Sequence, residues 1–511
     1  MMPTAYHWRR TVLLSSLLLL LFFGFKIGRF QSLYYTFNDM YIFIQSSCSW
    51  LDGRPVLYEN IWGYDSRIHN NYILLLIGPL IYLGGVYGAF AVLTGLLLLS
   101  YGLLLRTLAG RGQWFLWLAF AVLLFGPVWF WFNDHPGIGW HPELLYYPLV
   151  LLLTLALFYA ETAWYFWVTA LLIVLVKEDG ALMAGTVHLS YLCLTYLRAN
   201  STRSILGILS NRRFWLTAAG WALVFVAGML FLSYKNQSVK PEPRLEQALT
   251  AIRTGLTDPT FIRTNLLLLG QTLALLLPSI VLLWVVMKRA DFRQSGSVWL
   301  IYAVAQLALL ASNWVQGSTY YGTNPLFYLV SLTWPPRFVL NYAFSVSFVV
   351  AFWLLVGADA RPLPRQWVIG LAVVLFVVQV PIVKLSRPDV DYKTTLIDTF
   401  THRFDPFKER LLPAEDVAVV ERLVRLIPPR SSVFMFDFLI PFFHRHYNIW
   451  LTGKQWKNAD VAIVPVDDFQ GLTTHLPQVM KQPYRRIRLR MYEVYVTPAY
   501  ERYVNQAIHD N

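Results

Sequence analysis

The sequence predicts an α-helical polytopic membrane protein of about eleven transmembrane helices with a small extracytoplasmic α/β domain behind them. Three observations lead there. Of 511 residues, 56% are hydrophobic and only 14% charged, with a mean hydropathy of +0.47, so most of the chain is excluded from the water-soluble class. Apolar runs of spanning length recur from the N-terminus to about residue 384. Beyond that point the composition changes, which divides the chain into 1–384 and 385–511. The net charge of +13 raises nucleic acid as a partner, but no basic aromatic module accompanies it. Its distribution fits the cytoplasmic bias of Lys and Arg in membrane proteins. Cys48 and Cys193 cannot build a disulfide framework.

The spans follow in order. Thr11–Phe25 follows Arg9 and Arg10 like a signal-peptide core, but no small-residue cleavage site comes after it, so it reads as a retained first helix. With the N-terminus cytoplasmic, that helix ends near Lys26 and residues 31–71 form a long outer loop. Tyr72–Leu83 is short for a crossing and is expected to re-enter or lie at the interface, buried against protein. Val86–Leu105 descends to Arg106 and Arg111, and Trp114–Trp131 returns to an outer loop at 132–143. Leu144–Ala160 and Trp164–Val176 go in and out, leaving Lys177, Glu178 and Asp179 at the outer surface. Gly180–Leu197 descends into Arg198, Arg203, Arg212 and Arg213, the strongest cytoplasmic marker in the chain. Phe214–Tyr234 rises to an outer loop at 235–264, and Asn265–Met287 ends at Lys288, Arg289 and Arg293. Ser297–Ala311 leads to an outer loop at 312–324, and Pro325–Leu332 is again short. Phe338–Leu355 descends to Arg361 and Arg365, and Gln366–Val383 leaves the tail outside.

The tail reads as a small α/β unit. Ala414–Leu426 has helical apolar spacing and is stopped by Pro428 and Pro429. Ser432–Phe436, Val461–Val464 and Tyr484–Val496 read as strands, the last bent or a hairpin. There is no Gly-rich phosphate loop, so nucleotide binding is unsupported. His444, Arg445 and His446 read as a solvated basic cluster.

Three outer segments carry candidate chemistry. Phe37-Asn38-Asp39 opens an amphipathic stretch to about Leu51, with Met40, Phe43, Ile44 and Leu51 on one face and Gln45, Ser49 and Asp52 elsewhere. Asn38 or Asp39 serves either as a helix cap or as a functional group. The stretch Asn133-Asp134-His135-Pro136-Gly137-Ile138-Gly139-Trp140-His141-Pro142-Glu143 places two imidazoles and two carboxylates between apolar runs. It is either a polar hairpin at the headgroups or a proton-transfer or metal site. Pro142 suits the first position of the next helix, which puts Glu143 near the positive end of its dipole. Lys177-Glu178-Asp179 is wedged between apolar runs, where charge is costly and marks either function or internal pairing. His69 adds a fourth polar point, interfacial or catalytic.

These segments, in this order, resemble a family of bacterial polytopic membrane proteins classed as a domain of unknown function. The features are Asp39 with Gln45 and Gly53, His69 before Gly78-Pro79-Leu80-Ile81-Tyr82, His141-Pro142-Glu143, and Val176-Lys177-Glu178-Asp179. In the tail they are Ile427-Pro428-Pro429-Arg430-Ser431-Ser432-Val433, Arg445 and Ala459-Asp460-Val461. The chain departs from the pattern at Ile44, where the family often has a second acidic residue, and at Cys48, where it often has Trp.

That family is similar to the GT-C glycosyltransferases, which use polyprenyl-phosphate-linked sugars. The resemblance implies a GT-C-like membrane core, a bacterial plasma (inner) membrane location and sugar transfer at the outer face. It also implies a base to deprotonate the acceptor and a cation for the departing phosphate. Asp39, Glu143 and Glu178 are the implied catalytic carboxylates, with Asp39 as the base. Arg67, His69, His141, Lys177 and Asp179 are the implied substrate- and phosphate-binding residues. His135, His141 and Glu143 are a possible set for a divalent metal, Mg or Mn. A transporter or flippase for a lipid-linked substrate would use the same buried charges. A non-catalytic membrane subunit would keep the fold and lose the base.

Overall fold

The computed structural model describes residues 5–31, 35, 38–60, 63–64, 69–108, 139–160, 163–200, 204–236, 250, 253, 257–289, 294–321, 335–356, 364, 366, 369–370, 373, 414–435, 437–449, 458–468, 471–489 and 491–509. The expected span Trp114–Trp131, most of Gln366–Val383 and the boundary at residue 384 lie outside the described residues, as do Arg67 and His135.

Ten helices make up the described part of the first unit. They are α1 (Ala5–Gln31), α2 (Asn38–Cys48), α3 (Ile73–Leu108), α4 (Tyr146–Ala160), α5 (Trp164–Val176), α6 (Gly180–Ala199), α7 (Arg212–Asn236), α8 (Pro259–Arg289), α9 (Ser295–Tyr321) and α10 (Pro335–Val356). Five described helices are long and apolar enough to cross a membrane, and three shorter apolar ones accompany them. With the composition, this makes the chain an integral membrane protein. Burial separates the centre from the rim. In the span that includes α4, 83% of the apolar window is buried, against 6% in α7. The central helices α4 and α10 pack on each other, and α3, α6 and α8 pack around them.

Hydrophobicity cannot hold such helices to one another in lipid, so the centre uses close packing and hydrogen bonds. Tyr101 and Tyr147 share a hydroxyl–hydroxyl hydrogen bond of 2.6 Å, and the Tyr147 ring stacks on Tyr342 at 5.8 Å. Gln306 donates to the Asn341 carbonyl at 2.9 Å, and Tyr302 and Ser345 pair at 2.8 Å.

The structure changes several expected boundaries. Tyr72–Leu83 and Val86–Leu105 form the two arms of α3, separated by a sharp kink where the sequence reading divides them. Its 36 residues would be about 54 Å long if straight, well beyond the ~30 Å hydrocarbon layer. The break is at Gly85, whose φ of 55° and ψ of −135° suit glycine alone. The expected loop 312–324 is helical as far as Tyr321, because the polar residues Ser312 and Asn313 do not end α9.

The amphipathic stretch forms α2 and a 3-10 turn at Ser49–Asp52, but its expected polar residues are not solvated. Gln45, Ser49 and Asp52 are buried along with Met40, Phe43 and Ile44. The reason is packing from two sides: α3 lies on one and the tail segment Asp437–Phe443 on the other. A two-stranded ladder, β1 (Tyr58–Glu59) with β2 (Gly63–Tyr64), follows in the same loop.

The tail is a mixed five-stranded sheet. Its strands are β3 (Ser432–Met435), β4 (Tyr447–Ile449), β5 (Val461–Pro465), β6 (Arg485–Leu489) and β7 (Tyr492–Val496), in the order β4-β3-β5-β7-β6. β3 runs parallel to β4 and β5, while β7 is antiparallel to β5 and β6. Every residue of β5 is buried, as expected of a central strand. Helices α11 (Ala414–Leu426) and α12 (Glu501–His509) pack together beside the sheet. Tyr484–Val496 is thus a hairpin, and β4 and α12 are additions that the residue pattern did not announce.

The basic cluster at 444–446 is not solvated. The His446 ring is buried and His444 partly so; burial drives the imidazoles down from 6.5, to about 3 for His444 and about 4 for His446, and the Arg445 and Arg54 charges push the same way. Gln45 Nε2 donates to the His446 carbonyl at 3.3 Å, and Asn448 Nδ2 donates to the Tyr41 hydroxyl at 3.1 Å. Arg445 and Arg54 both pair with Asp52 at 3.3 Å, and Arg430 donates to the Asp52 carbonyl. The tail therefore seals the first loop. A Cβ added at Gly85 would lie 2.8 Å from the His444 ring, so the tail also packs closely on the kink in α3.

Candidate functional site

The charged residues of the His141–Glu143 and Lys177–Asp179 segments meet at one end of the helix bundle. Ordinary chain geometry brings them there. Pro142 opens a 3-10 turn, Pro142–Leu145, that leads into α4 and carries Glu143 at its first turn. The α5–α6 connection is only Lys177, Glu178 and Asp179, with Gly180 allowing the close return: a Cβ there would lie 2.1 Å from the Ile173 carbonyl oxygen. All four charged side chains are buried.

Lys177 Nζ donates to Glu143 Oε1 at 2.9 Å, and His141 Nδ1 faces Glu143 Oε2. His69 Nδ1 lies 2.8 Å from Glu178 Oε1, and the Asn70 amide donates to Glu178 Oε2 at 3.2 Å. The Tyr146 hydroxyl donates to Asp179 Oδ1. Three consecutive residues of this non-helical connection thus take three different partners.

The two adjacent carboxyls of this turn are driven apart. Burial lifts Glu178, but the His69 imidazole and the Lys177 ammonium outweigh it and hold the carboxyl at about 2. Asp179 moves the other way: burial raises it and the Glu178 charge adds to the rise, against Lys177 and the Tyr146 hydrogen bond. Neighbouring carboxyls with opposed shifts can divide proton-holding and charge-holding roles.

A cation that the sequence had marked only as a helix end approaches the same region. Lys26, buried near the end of α1, donates to the Gly139 carbonyl and sits 5.1 Å from the Tyr35 ring centroid and 4.7 Å from that of Phe90. Arg29, one turn further along, is also fully buried. A charged residue inside the last turns of an apolar run was the available signal. Lys235, at the end of α7, adds a second cation by donating to the His69 carbonyl at 3.3 Å.

The first loop reaches the cluster through α2. The Phe43 ring meets His141 edge-on, with centroids 4.4 Å apart. Asp39 precedes Phe43 by one helical turn, within the first turn of α2. Gly139 closes the contact: its φ is +56°, and a Cβ there would come 2.5 Å from Met40 Sδ. Its left-handed backbone and tight surroundings both require glycine.

Among the described residues, no three His, Cys, Asp or Glu side chains gather as a metal-binding group. His141 and Glu143 are turned toward each other, and His135, the third member of the possible set, lies outside the described residues. The contacts of Glu143 with His141 and Lys177 suit charge and proton handling.

No family model and no curated protein matches the chain. Two solved structures align with it over 96% of its length and 98% of theirs. One is ArnT from Cupriavidus metallidurans bound to undecaprenyl phosphate, at 13% identity and a TM-score of 0.47; the other is ArnT from the same organism in the apo state, at 12% and 0.46. At those values the likeness is one of general outline, and the functional reading rests on the residues.

Proposed function

We propose that the chain is a membrane glycosyltransferase of the GT-C kind, transferring a sugar from a polyprenyl-phosphate-linked donor to an acceptor at the extracytoplasmic face. The observation that supports this reading is the convergence of Glu143, Glu178, Asp179, Lys177, His69 and His141 at one end of an apolar bundle, beneath the first loop. Charges at membrane depth are costly, so a cluster of six titratable groups from three separate segments fits a site better than simple anchoring does. The ordered motifs shared with the polytopic family, and its similarity to GT-C enzymes, supply the reaction class.

In this reading Asp39 takes the acceptor proton, and the leaving phosphate is met by cations at the end of the bundle. Lys177, with Lys26 at the Gly139 carbonyl, supplies positive charge; Arg67 and His69 belong to the same loop. Glu143 orients Lys177 and His141, and Glu178 fixes His69. Asp179, with its raised affinity for a proton, is suited to hold one beside Tyr146.

Saturable binding of polyprenyl phosphate to the purified protein, read by native mass spectrometry in detergent, tests the donor class. The expected result is one retained lipid, competed by a polyprenyl-phosphate sugar and weakened in Lys177→Met. Retention no greater than that of a polyprenol without phosphate would overturn the reading.

A further inference from the structure

At the opposite end of the bundle lies a second feature, independent of the proposed chemistry. α6 runs about 30 Å from the Lys177–Asp179 turn to Arg198, and α7 starts beside that far end at Arg212. Between α5, α6 and α7 opens a cleft of about 570 Å³. That volume is of the size that holds a small organic ligand.

The walls and the mouth of the cleft differ in character. Trp167, Leu216, Trp221 and Val224 make the walls apolar, and Arg212 and Arg213 stand at the end. From Arg212 to Val224 the rise along α7 is about 18 Å, slightly more than one leaflet of a ~30 Å hydrocarbon layer. The floor is fixed in place. A Cβ at Gly185 would lie 2.9 Å from Trp221 Cβ, so α6 and α7 are in close contact there, and the Trp221 indole donates to His188 Nδ1 at 3.2 Å. One helical position away, Gly220 leaves open space, with nothing within 4 Å of the Cβ it lacks.

Charge favours one class of occupant. Residues 180–241 contain no Asp or Glu, whereas Arg198 ends α6 and Arg212 and Arg213 begin α7. Both Arg212 and Arg213 are exposed. A basic edge on an apolar slot of one-leaflet depth matches a molecule with an anionic head and an alkyl chain.

We propose that this cleft is a binding site for one anionic glycerophospholipid, its phosphate at Arg212 and Arg213 and an acyl chain along Trp167, Leu216, Trp221 and Val224. Ordinary boundary lipid would cover the same helices without regard to headgroup, so headgroup selectivity is the distinguishing property.

The test uses full-length protein in phosphatidylcholine vesicles carrying either phosphatidylglycerol or phosphatidylcholine with a diazirine in the acyl chain. Crosslinked peptides are mapped by mass spectrometry. The α5 and α7 peptides are expected to label on the order of tenfold more with the phosphatidylglycerol probe. Arg212→Gln with Arg213→Gln should bring the two probes level. Gly220→Phe should remove labelling of the Trp221 peptide by filling the slot, with both variants monodisperse on size exclusion. Equal labelling of wild type by the two probes would overturn the proposal and leave boundary lipid alone. So would selectivity that survives the double arginine variant, labelling unchanged in Gly220→Phe, or loss of the signal to soluble glycerol phosphate, which would identify a free phosphate ligand.

Discussion

Replacing Glu143 by Gln removes the charge that Lys177 and His141 share while keeping the side chain's size. Both members of the Glu143–Lys177 pair are nearly inaccessible, with side-chain exposures of 4% and 8%, and they meet at 2.9 Å. Removing one partner of such a pair strands a buried charge, at a cost of about 3–5 kcal/mol. The lower end applies here, because Lys177 keeps the neighbouring carboxylates of Glu178 and Asp179, and Glu143 keeps His141. Glu143→Gln and Lys177→Met should therefore each cost about 3 kcal/mol. The double variant leaves neither charge stranded, and it should cost less than the sum by about 1–3 kcal/mol. Thermal unfolding of the four proteins in one detergent measures this, with each single variant melting several degrees below wild type. If the two single losses add to the double loss within about 0.5 kcal/mol, the pair is not coupled and the reasoning for the cluster fails.

Three further outcomes are expected. His444 and His446 have folded pKa values depressed below 6.5, so their contribution is complete above pH 6.5 and is lost as pH falls toward about 4 and about 3. At pH 5 each imidazole should cost roughly 2 kcal/mol, and proteolysis of the tail should accelerate between pH 7 and pH 5 but much less in His446→Gln. The depressed Glu178 acts only below its ordinary carboxyl range, so a tail whose protease sensitivity begins below pH 4 would point to Glu178 instead. Gly139→Ala should lose about 1–3 kcal/mol from backbone strain and from the displaced Met40, and transfer activity with it; unchanged melting and activity would show that the loop tolerates a side chain there. For topology, Thr474→Cys should react with a membrane-impermeant maleimide on intact cells, because Thr474 is exposed while the native Cys48 and Cys193 are buried; reaction only after permeabilisation would place the tail on the other side.

Much of the helical part was legible because apolar runs and their breakers carry the signal. Trp164–Val176 was read with both ends as observed, and Ala414–Leu426 likewise, since Lys177 and the Pro428-Pro429 pair stop them. The turn of Lys177, Glu178 and Asp179 was legible as a place of costly charge, and so was the loop at His141 and Glu143. Their partners were not. Nothing local says that Lys177 meets Glu143 across 34 positions, or that His69 meets Glu178 across 109. The burial of Gln45 and Asp52 was missed for the same reason: the tail that covers them lies about 400 positions away. Strand β4 escaped because it is three residues long and leans on β3 for its pairing.

The account stands most directly on catalysis by the proposed donor chemistry. Proteoliposomes carrying the purified chain, supplied with a polyprenyl-phosphate-linked sugar and a cell-envelope acceptor extract, should release polyprenyl phosphate in step with sugar transfer. Asp39→Asn and Asp39→Ser should remain folded, because Asp39 lies in the first turn of α2, where losing its charge costs about 1 kcal/mol or less of dipole interaction, but they should abolish the release because neither can take the acceptor proton at neutral pH. Release at the wild-type rate from both variants would contradict the assignment of Asp39 as the base. No release from wild type with any polyprenyl-phosphate sugar tested would contradict the proposed function itself.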